Sequence, residues 1–294
     1  QMEYDDEVAF FANQKLYQYA RVSTDADRRP WCLTVSFTHP HDPYVARRKY
    51  WDLYEGIAEL DPPVEDLGYA NQDPHSRRLI DACDSHKFDI TRETVRRARQ
   101  GYFANISYID DKVGDLLETL RTTRMLDNTI VLFTSDHGDM LGERGLWFKM
   151  SFFEGSARVP LMVAGPGVTP RLVNEPVSTL DINPTLADLA GIDIGEILPW
   201  TDGESLVPLM NGGKRTTPVL MEYTAEGSQA PLVCIREGDW KFSHCELDPP
   251  MLFNLKDDPQ ELTNLAADPA NAALVAEWME RVRAHWDMAR FDAD

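Results

Sequence analysis

Three short segments place ionisable side chains at the ends of apolar runs. Asp136 and His137 follow the apolar run at residues 129–133 and precede a glycine. His41 lies between two prolines in HPHDP, and Lys149 is surrounded by aromatic residues in LWFKMSFF. A carboxylate beside an imidazole can bind one divalent metal, whereas a fixed imidazole and a secluded lysine can bind an anion. Together the three segments predict a site for a tetrahedral oxyanion ester.

Each of these segments also has an ordinary structural explanation. Asp136 could cap the segment that follows it, and the prolines around His41 could form only a turn. The stem of Lys149 could cross an apolar patch on its way to solvent. A nitrogen donor beside an oxygen donor suits Mn²⁺ or Zn²⁺ better than Ca²⁺, whose preferred ligands are oxygen atoms. The residue types alone therefore leave the metal open.

The elements around these segments alternate between helix and strand. Helical spacing of apolar residues predicts helices at residues 5–19, after Thr91, and from 181 to 191. Apolar, β-branched runs predict strands at residues 31–37, 129–133 and 160–164. The stretch 61–89 is polar, rich in proline and without periodicity, which predicts a substrate-facing or connecting loop. The alternation predicts an α/β fold, a mostly parallel sheet with helices on both faces and functional loops at the strand ends.

The C-terminal quarter has a different pattern. Four short apolar runs follow one another without intervening helices, at residues 219–223, 232–236, 240–244 and 251–254. They predict an antiparallel sheet, and Asp268 followed by proline predicts the start of a closing helix. We therefore expect an α/β domain over residues 1–218 and a smaller α+β domain over residues 219–294.

The composition excludes several classes of partner. The chain has 29 Lys and Arg residues against 49 Asp and Glu residues, a formal charge of −20. This excess disfavours binding to nucleic acids and to anionic membrane surfaces, and no apolar run is long enough to span a bilayer. The cysteines form no C-x-x-C pair and are too few for a disulfide scaffold: Cys32, Cys83, Cys234 and Cys245. We therefore expect a protein of the reducing cytoplasm.

Longer segments resemble a known family. FTSDHGDMLGERGLWFKMSFFEGSARVPLMVAGPG resembles the signature of the sulfatase family, in the alkaline-phosphatase-like superfamily, and is most similar to its choline sulfatase branch. SFTHPHDPY resembles the family's sulfate-contacting histidine loop, and MLFNLKDDPQELTNLAADP resembles its C-terminal region. The resemblance implies an alkaline-phosphatase-like sandwich, an oligomeric protein and hydrolysis of a small sulfate ester such as choline sulfate. The alternatives are a phosphonate monoester or phosphodiester hydrolase on the same scaffold, and a metal-binding module without turnover.

The resemblance also implies roles for single residues. Asp136 and His137 correspond to ligands of one divalent metal, Ca²⁺ or Mn²⁺, and this histidine replaces the amide that many arylsulfatases carry. His41 corresponds to a sulfate contact near the leaving oxygen, and Lys149 to a sulfate contact that neutralises charge. The family's nucleophile is a formylglycine made within a C/S-x-P/A-x-R motif, which this sequence lacks. We therefore expect the nucleophile and two acidic metal ligands to precede Gln1 in a longer protein, and this chain alone to be inactive.

The alcohol part of the substrate would need its own contacts. A quaternary ammonium is bound by acidic or aromatic side chains, and the segment EYTAE at residues 222–226 has both. The family likeness favours Glu226 as the cation contact, with Glu222 next. Acidic residues in an acidic protein are ordinarily only solvated, and that alternative stands beside the binding role.

Overall fold

The computed structural model describes residues 1–22, 29–57, 60–197 and 199–291. The helices are α1 (Met2–Ala20), α2 (Arg48–Trp51), α3 (Pro74–Ala82), α4 (Arg92–Thr122), α5 (Glu154–Ala157), α6 (Ile182–Leu189), α7 (Ile194–Ile197), α8 (Val207–Met210), α9 (Ala272–His285) and α10 (Met288–Phe291). The strands are β1 (Val131–Thr134), β2 (Leu161–Ala164), β3 (Val219–Tyr223), β4 (Leu232–Glu237), β5 (Trp240–Cys245) and β6 (Asp248–Asn254). No helix within these ranges is both long and apolar enough to cross a membrane.

The two long helices predicted in the first half are confirmed, and they pack together. The hydroxyl of Thr91 accepts a hydrogen bond from the Thr94 N–H and caps α4 at its start. Tyr108 of α4 is fully buried, and its hydroxyl donates to the Met2 carbonyl oxygen of α1 at 3.2 Å. The buried face of α1 does not include Phe11, which is 61% exposed. The buried residues are instead Asp5, Ala9, Ala12 and Leu16.

The strands of the first half differ from the prediction in their pairing. β1 and β2 are antiparallel, with Val131 opposite Ala164, and every strand pair in the described part of the chain is antiparallel. Residues 31–37 form no strand and pair with no other strand among the described residues, so the strand predicted there is wrong. An extended segment becomes a strand only when a second backbone completes its hydrogen bonds. The predicted loop at 61–89 is also interrupted, because it contains α3.

The second sheet has the order β3-β4-β5-β6 and confirms the four predicted strands. Because successive side chains point to opposite faces of a strand, each face has its own neighbours. One face packs against α9, the predicted closing helix, through Val233, Ile235, Phe242, Leu252, Trp278, Val282 and Trp286. On the opposite face, Phe253 packs against Phe153, and Lys241 donates to the Phe152 carbonyl oxygen at 2.6 Å. The sheet therefore supports the segment that follows Lys149.

Polar contacts join this sheet to the first half of the chain. Arg78 of α3 forms a two-pronged ion pair with Asp248 of β6. Lys241 is 3% exposed and pairs with Glu154 at 2.8 Å and with Glu261 at 2.6 Å. A division at residue 218 into two domains remains a proposal, since these buried contacts cross it.

Candidate active site

The centre of the candidate site is a contact between Lys149 and His41. Lys149 Nζ lies 2.8 Å from His41 Nε2, and His41 Nδ1 lies 3.0 Å from the carbonyl oxygen of Asp42. Because a carbonyl oxygen only accepts and an ammonium only donates, Nδ1 carries the imidazole proton and Nε2 accepts from Lys149. The two nitrogens that the sequence assigned to an oxyanion therefore converge on one point.

Asp136 and His137 lie beside this pair. The rings of His137 and His41 have centroids 5.8 Å apart. His137 Nδ1 lies 2.8 Å from the Gly138 carbonyl oxygen, so Nδ1 carries the proton and Nε2 keeps its lone pair. Nε2 is 3.8 Å from Asp136 Oδ2, too far for a hydrogen bond between them. Partial burial raises the pKa of Asp136, but its interaction with His137 and backbone hydrogen bonds outweigh this effect and hold the pKa below its usual value, so the carboxyl is ionised.

These two donors fit a divalent cation, and they supply only part of its coordination. An imidazole nitrogen that carries a lone pair and an ionised carboxylate oxygen are suitable metal ligands. The described ranges, this site included, contain no group of three or more His, Cys, Asp or Glu side chains able to hold a metal. A four-coordinate or larger shell would therefore need ligands besides Asp136 and His137. The choice between Ca²⁺ and Mn²⁺ stays a prediction.

Asp139 holds the loops of the candidate site together. Its carboxylate accepts from the Tyr44 hydroxyl at 2.8 Å and from the Phe148 N–H at 3.1 Å. Tyr44 belongs to the histidine loop (residues 36–44) and Phe148 to the lysine segment (residues 146–153). One carboxylate therefore fixes both segments. Close packing adds to this, because a Cβ atom on Gly138 would lie 2.2 Å from the Gly155 carbonyl oxygen. Only glycine fits at that position.

A second buried carboxylate, Asp5, fixes the start of the histidine loop. It is 0% exposed and accepts from the Thr38 N–H at 2.8 Å, the His39 N–H at 3.0 Å and the His39 ring at 2.5 Å. Sequence reasoning missed this residue. The available signal was its place on the same helical face as Ala9, Ala12 and Leu16, where a carboxylate is unexpected without partners.

The two acidic residues proposed for cation binding have different surroundings, because Glu226 lies in the loop after β3 and Glu222 lies within β3. The Tyr223 hydroxyl donates to the carbonyl oxygen of Glu226 at 2.9 Å and contacts its carboxylate at 3.2 Å. The Tyr223 ring packs edge-on against His75, at 5.8 Å between centroids. Glu222 instead faces α9, where the Trp286 indole donates to it at 2.6 Å. The structure therefore does not bring Glu222 to the site, because β3 alternates its side chains.

The family follows from comparison with known proteins. Residues 2–192 match the Sulfatase family model, and residues 142–287 match the model of the N-sulphoglucosamine sulphohydrolase C-terminal region. The chain belongs to the sulfatase family. The choline-sulfatase of Rhizobium meliloti (strain 1021) is 64% identical to it over 296 residues, an alignment that covers 100% of this chain and 58% of that protein.

Two further relatives identify the fold class. The multifunctional alkaline phosphatase superfamily protein PehA of Trinickia caryophylli is 29% identical over 99% of this chain and 61% of its own length. The crystal structure of the phosphonate monoester hydrolase of Agrobacterium radiobacter superposes with a TM-score of 0.73 at 26% identity, over 95% of this chain and 60% of that one. These matches confirm the alkaline-phosphatase-like α/β fold class. The chain spans about 60% of the length of these relatives.

Proposed function

We propose that the protein to which this chain belongs hydrolyses sulfate esters, with choline sulfate as its substrate. The observation that carries the proposal is the 2.8 Å contact between Lys149 and His41, directly beside Asp136 and His137. Two convergent nitrogen atoms, one of them on a cationic side chain, next to a carboxylate and an imidazole form a site for a tetrahedral anion and a cation together. The 64% identity to a choline-sulfatase supports the choice of substrate.

The site residues suit the charge changes of sulfate ester cleavage. Lys149 Nζ would neutralise sulfate oxygens, and His41 Nε2 would lie near the ester oxygen that leaves. Once His41 Nε2 has taken a proton from solvent, it would supply the proton that the leaving alkoxide needs, while Lys149 keeps its charge for the sulfate oxygens. A divalent metal held by Asp136 and His137 would polarise the sulfate as a Lewis acid. The formylglycine nucleophile is expected in the longer protein.

The direct test is a comparison of three substrates with the protein expressed from its complete reading frame. We expect kcat/KM for choline sulfate to exceed that for p-nitrophenyl sulfate and for a phenyl phosphonate monoester. A preference for the phosphonate would instead favour the hydrolase class of the Agrobacterium radiobacter structure. Absence of turnover on all three would favour a metal-binding module. We expect the 294-residue chain alone to be inactive, and measurable turnover by it would contradict that expectation.

The anion site can be tested without catalysis. Titration calorimetry of this chain with inorganic sulfate should show binding that Lys149→Ala abolishes, because the principal cation at the site is removed. Lys87→Ala is the matched control, since Lys87 is 60% exposed and pairs with Asp84 on the surface. Equal sulfate binding by both variants would rule out Lys149 as the anion contact.

Glu226 is the proposed contact for the ammonium group of choline. Glu226→Gln should raise KM for choline sulfate about tenfold, the loss of roughly 1.4 kcal/mol of charge interaction, without changing KM for p-nitrophenyl sulfate. Glu222→Gln provides the comparison, because that carboxylate lies on the α9 face of the same strand. A matching rise in KM for Glu222→Gln would contradict the assignment.

The proposal also covers the cellular compartment and the oligomeric state of the protein. All four cysteines are free, two of them buried, as in proteins of a reducing compartment, so we place the protein in the cytoplasm. We also propose a homo-oligomer, which light scattering on the complete protein would test. A monomer at assay concentration would contradict it.

A further inference from the structure

The backbone around Lys149 has an uncommon conformation. Phe148 and Met150, the residues on either side of the lysine, have φ angles of 64° and 81°. Positive φ at a non-glycine residue is unfavourable and persists only where surrounding contacts determine it. On one side, Phe148 is held by Asp139 and by the Met140 N–H, which donates to the Phe148 carbonyl oxygen at 2.7 Å.

His75 holds the other side of the lysine. The His75 Nε2 atom lies 2.7 Å from the Met150 carbonyl oxygen. Since that oxygen only accepts, Nε2 must carry the proton. His75 is 5% exposed, and burial lowers its pKa, so the ring is neutral near pH 7. Its Nδ1 atom has no hydrogen-bond partner within the described part of the chain, so the contact with Met150 is the one that orients the ring.

The same imidazole touches the loop proposed to bind the cation. Its edge contact with Tyr223 orients the phenol that holds Glu226. Arg78, which lies on α3 as His75 does, also holds this loop, because its Nε donates to the Gly227 carbonyl oxygen at 3.1 Å. His75 therefore stands between the segment of Lys149 and the loop of Glu226.

We propose that His75 is a positioning residue, which aligns Lys149 through the Met150 carbonyl and Glu226 through the Tyr223 ring. The inference rests on the proposed function, because it assigns these two neighbours to sulfate and to the cationic alcohol. It adds a residue that contacts neither group and yet links the two halves of the substrate site.

Two substitutions separate the two contacts. His75→Phe keeps a ring against Tyr223 but removes the N–H donor. His75→Gln keeps an N–H donor near Met150 but removes the ring. His86→Phe is the control, since His86 is exposed on the neighbouring turn. All are made in the protein with its complete reading frame.

The expected result is a split between kcat and KM. His75→Phe should lower kcat by about 100-fold on both choline sulfate and p-nitrophenyl sulfate, because a misplaced Lys149 cannot neutralise the sulfate group of either substrate. KM for choline sulfate should change little. His75→Gln should keep most of kcat and raise KM for choline sulfate several-fold. Thermal unfolding of each variant, compared with the wild type, tests whether the variant is folded under the conditions of the kinetic assay. Equal kinetic effects of the two variants, or none, would overturn the proposal.

A second readout is independent of turnover. Long-range ¹H–¹⁵N correlation spectra of this chain should show His75 neutral, with its proton on Nε2. A proton on Nδ1 or on both nitrogens would also overturn the proposal. If the wild-type protein hydrolyses no sulfate ester, the proposed function and this inference fail together. If it does and the His75 variants match it, only the inference fails.

Discussion

The substitution Asp5→Ala is predicted to loosen the histidine loop from a position remote from substrate. Asp5 accepts three hydrogen bonds, from the Thr38 N–H, the His39 N–H and the His39 ring, and its side chain is fully buried. Alanine would leave these donors without an acceptor. Because His41 is two residues further along the loop, its imidazole would lose its fixed position relative to Lys149.

The magnitude follows from the burial of those donors. A buried donor that loses its partner costs about 1–3 kcal/mol, and breaking a buried ionic contact costs roughly 3–5 kcal/mol. Two of the three bonds are buried and the third is partly buried, so we expect a loss of about 3–5 kcal/mol in the free energy of unfolding. Domains typically have about 5–15 kcal/mol, so the variant should still fold. Asp5→Asn keeps one oxygen acceptor, so its free energy of unfolding should lie between those of the wild type and Asp5→Ala.

Urea unfolding of the chain, followed by circular dichroism, measures this loss. Glu7→Ala is the matched control, because it truncates an exposed carboxylate on the same helix and should change stability by less than about 0.5 kcal/mol. In the complete protein, Asp5→Ala should also lower kcat on choline sulfate. A stability loss for Asp5→Ala no larger than that of Glu7→Ala would refute the reasoning.

Four further substitutions test other contacts. Asp139→Ala should lower the unfolding free energy in urea by about 2–4 kcal/mol, since the Tyr44 hydroxyl and two backbone amides lose their acceptor, and Tyr44→Phe should lose less than half of that. Lys241→Ala should cost about 3–5 kcal/mol in the same assay, because Glu261 would remain buried and unpaired, whereas no loss would contradict the ion pair. The pKa of Asp6 is raised by burial, but hydrogen bonds from two cations and a phenol lower it from 3.8 to about 2. Its stabilisation is therefore present above pH 3.8 and lost as the pH falls towards 2, so Asp6→Asn should flatten acid unfolding curves in that window.

Sequence patterns predict the helices and strands whose formation depends on their own residues. They fail for segments whose structure depends on pairing with another part of the chain. The periodic helix α4 and the four strands of the second sheet were predicted within a few residues. Residues 31–37 have a strand composition, but no described strand pairs with them. The helix α3 was missed because its composition is polar, although Asp73 caps it and proline opens it, a pair that predicts a helix start.

The candidate site shows the same division. Residue types and the family likeness indicated Asp136, His137, His41 and Lys149, and the structure brings all four together. The residues that hold them were not predicted, because their partners lie far away in sequence: His75 is 75 residues from Met150, for example. Sequence spacing carries no information on such contacts, and only an unexplained polar residue on an apolar face signals them.

The holding residues share one physical device, which explains how the site keeps its reactive groups free. Asp5, Asp139 and Glu261 each accept backbone N–H groups of a loop, at the histidine loop, at the lysine segment and at the start of α5. A carboxylate bound to the backbone fixes the path of a loop without occupying its functional side chains. Lys149 and His41 can therefore be rigid and still exchange their mutual contact for a substrate. Rigid placement before binding removes an entropic cost from the reaction, so the buried carboxylates should matter to rate as well as to stability.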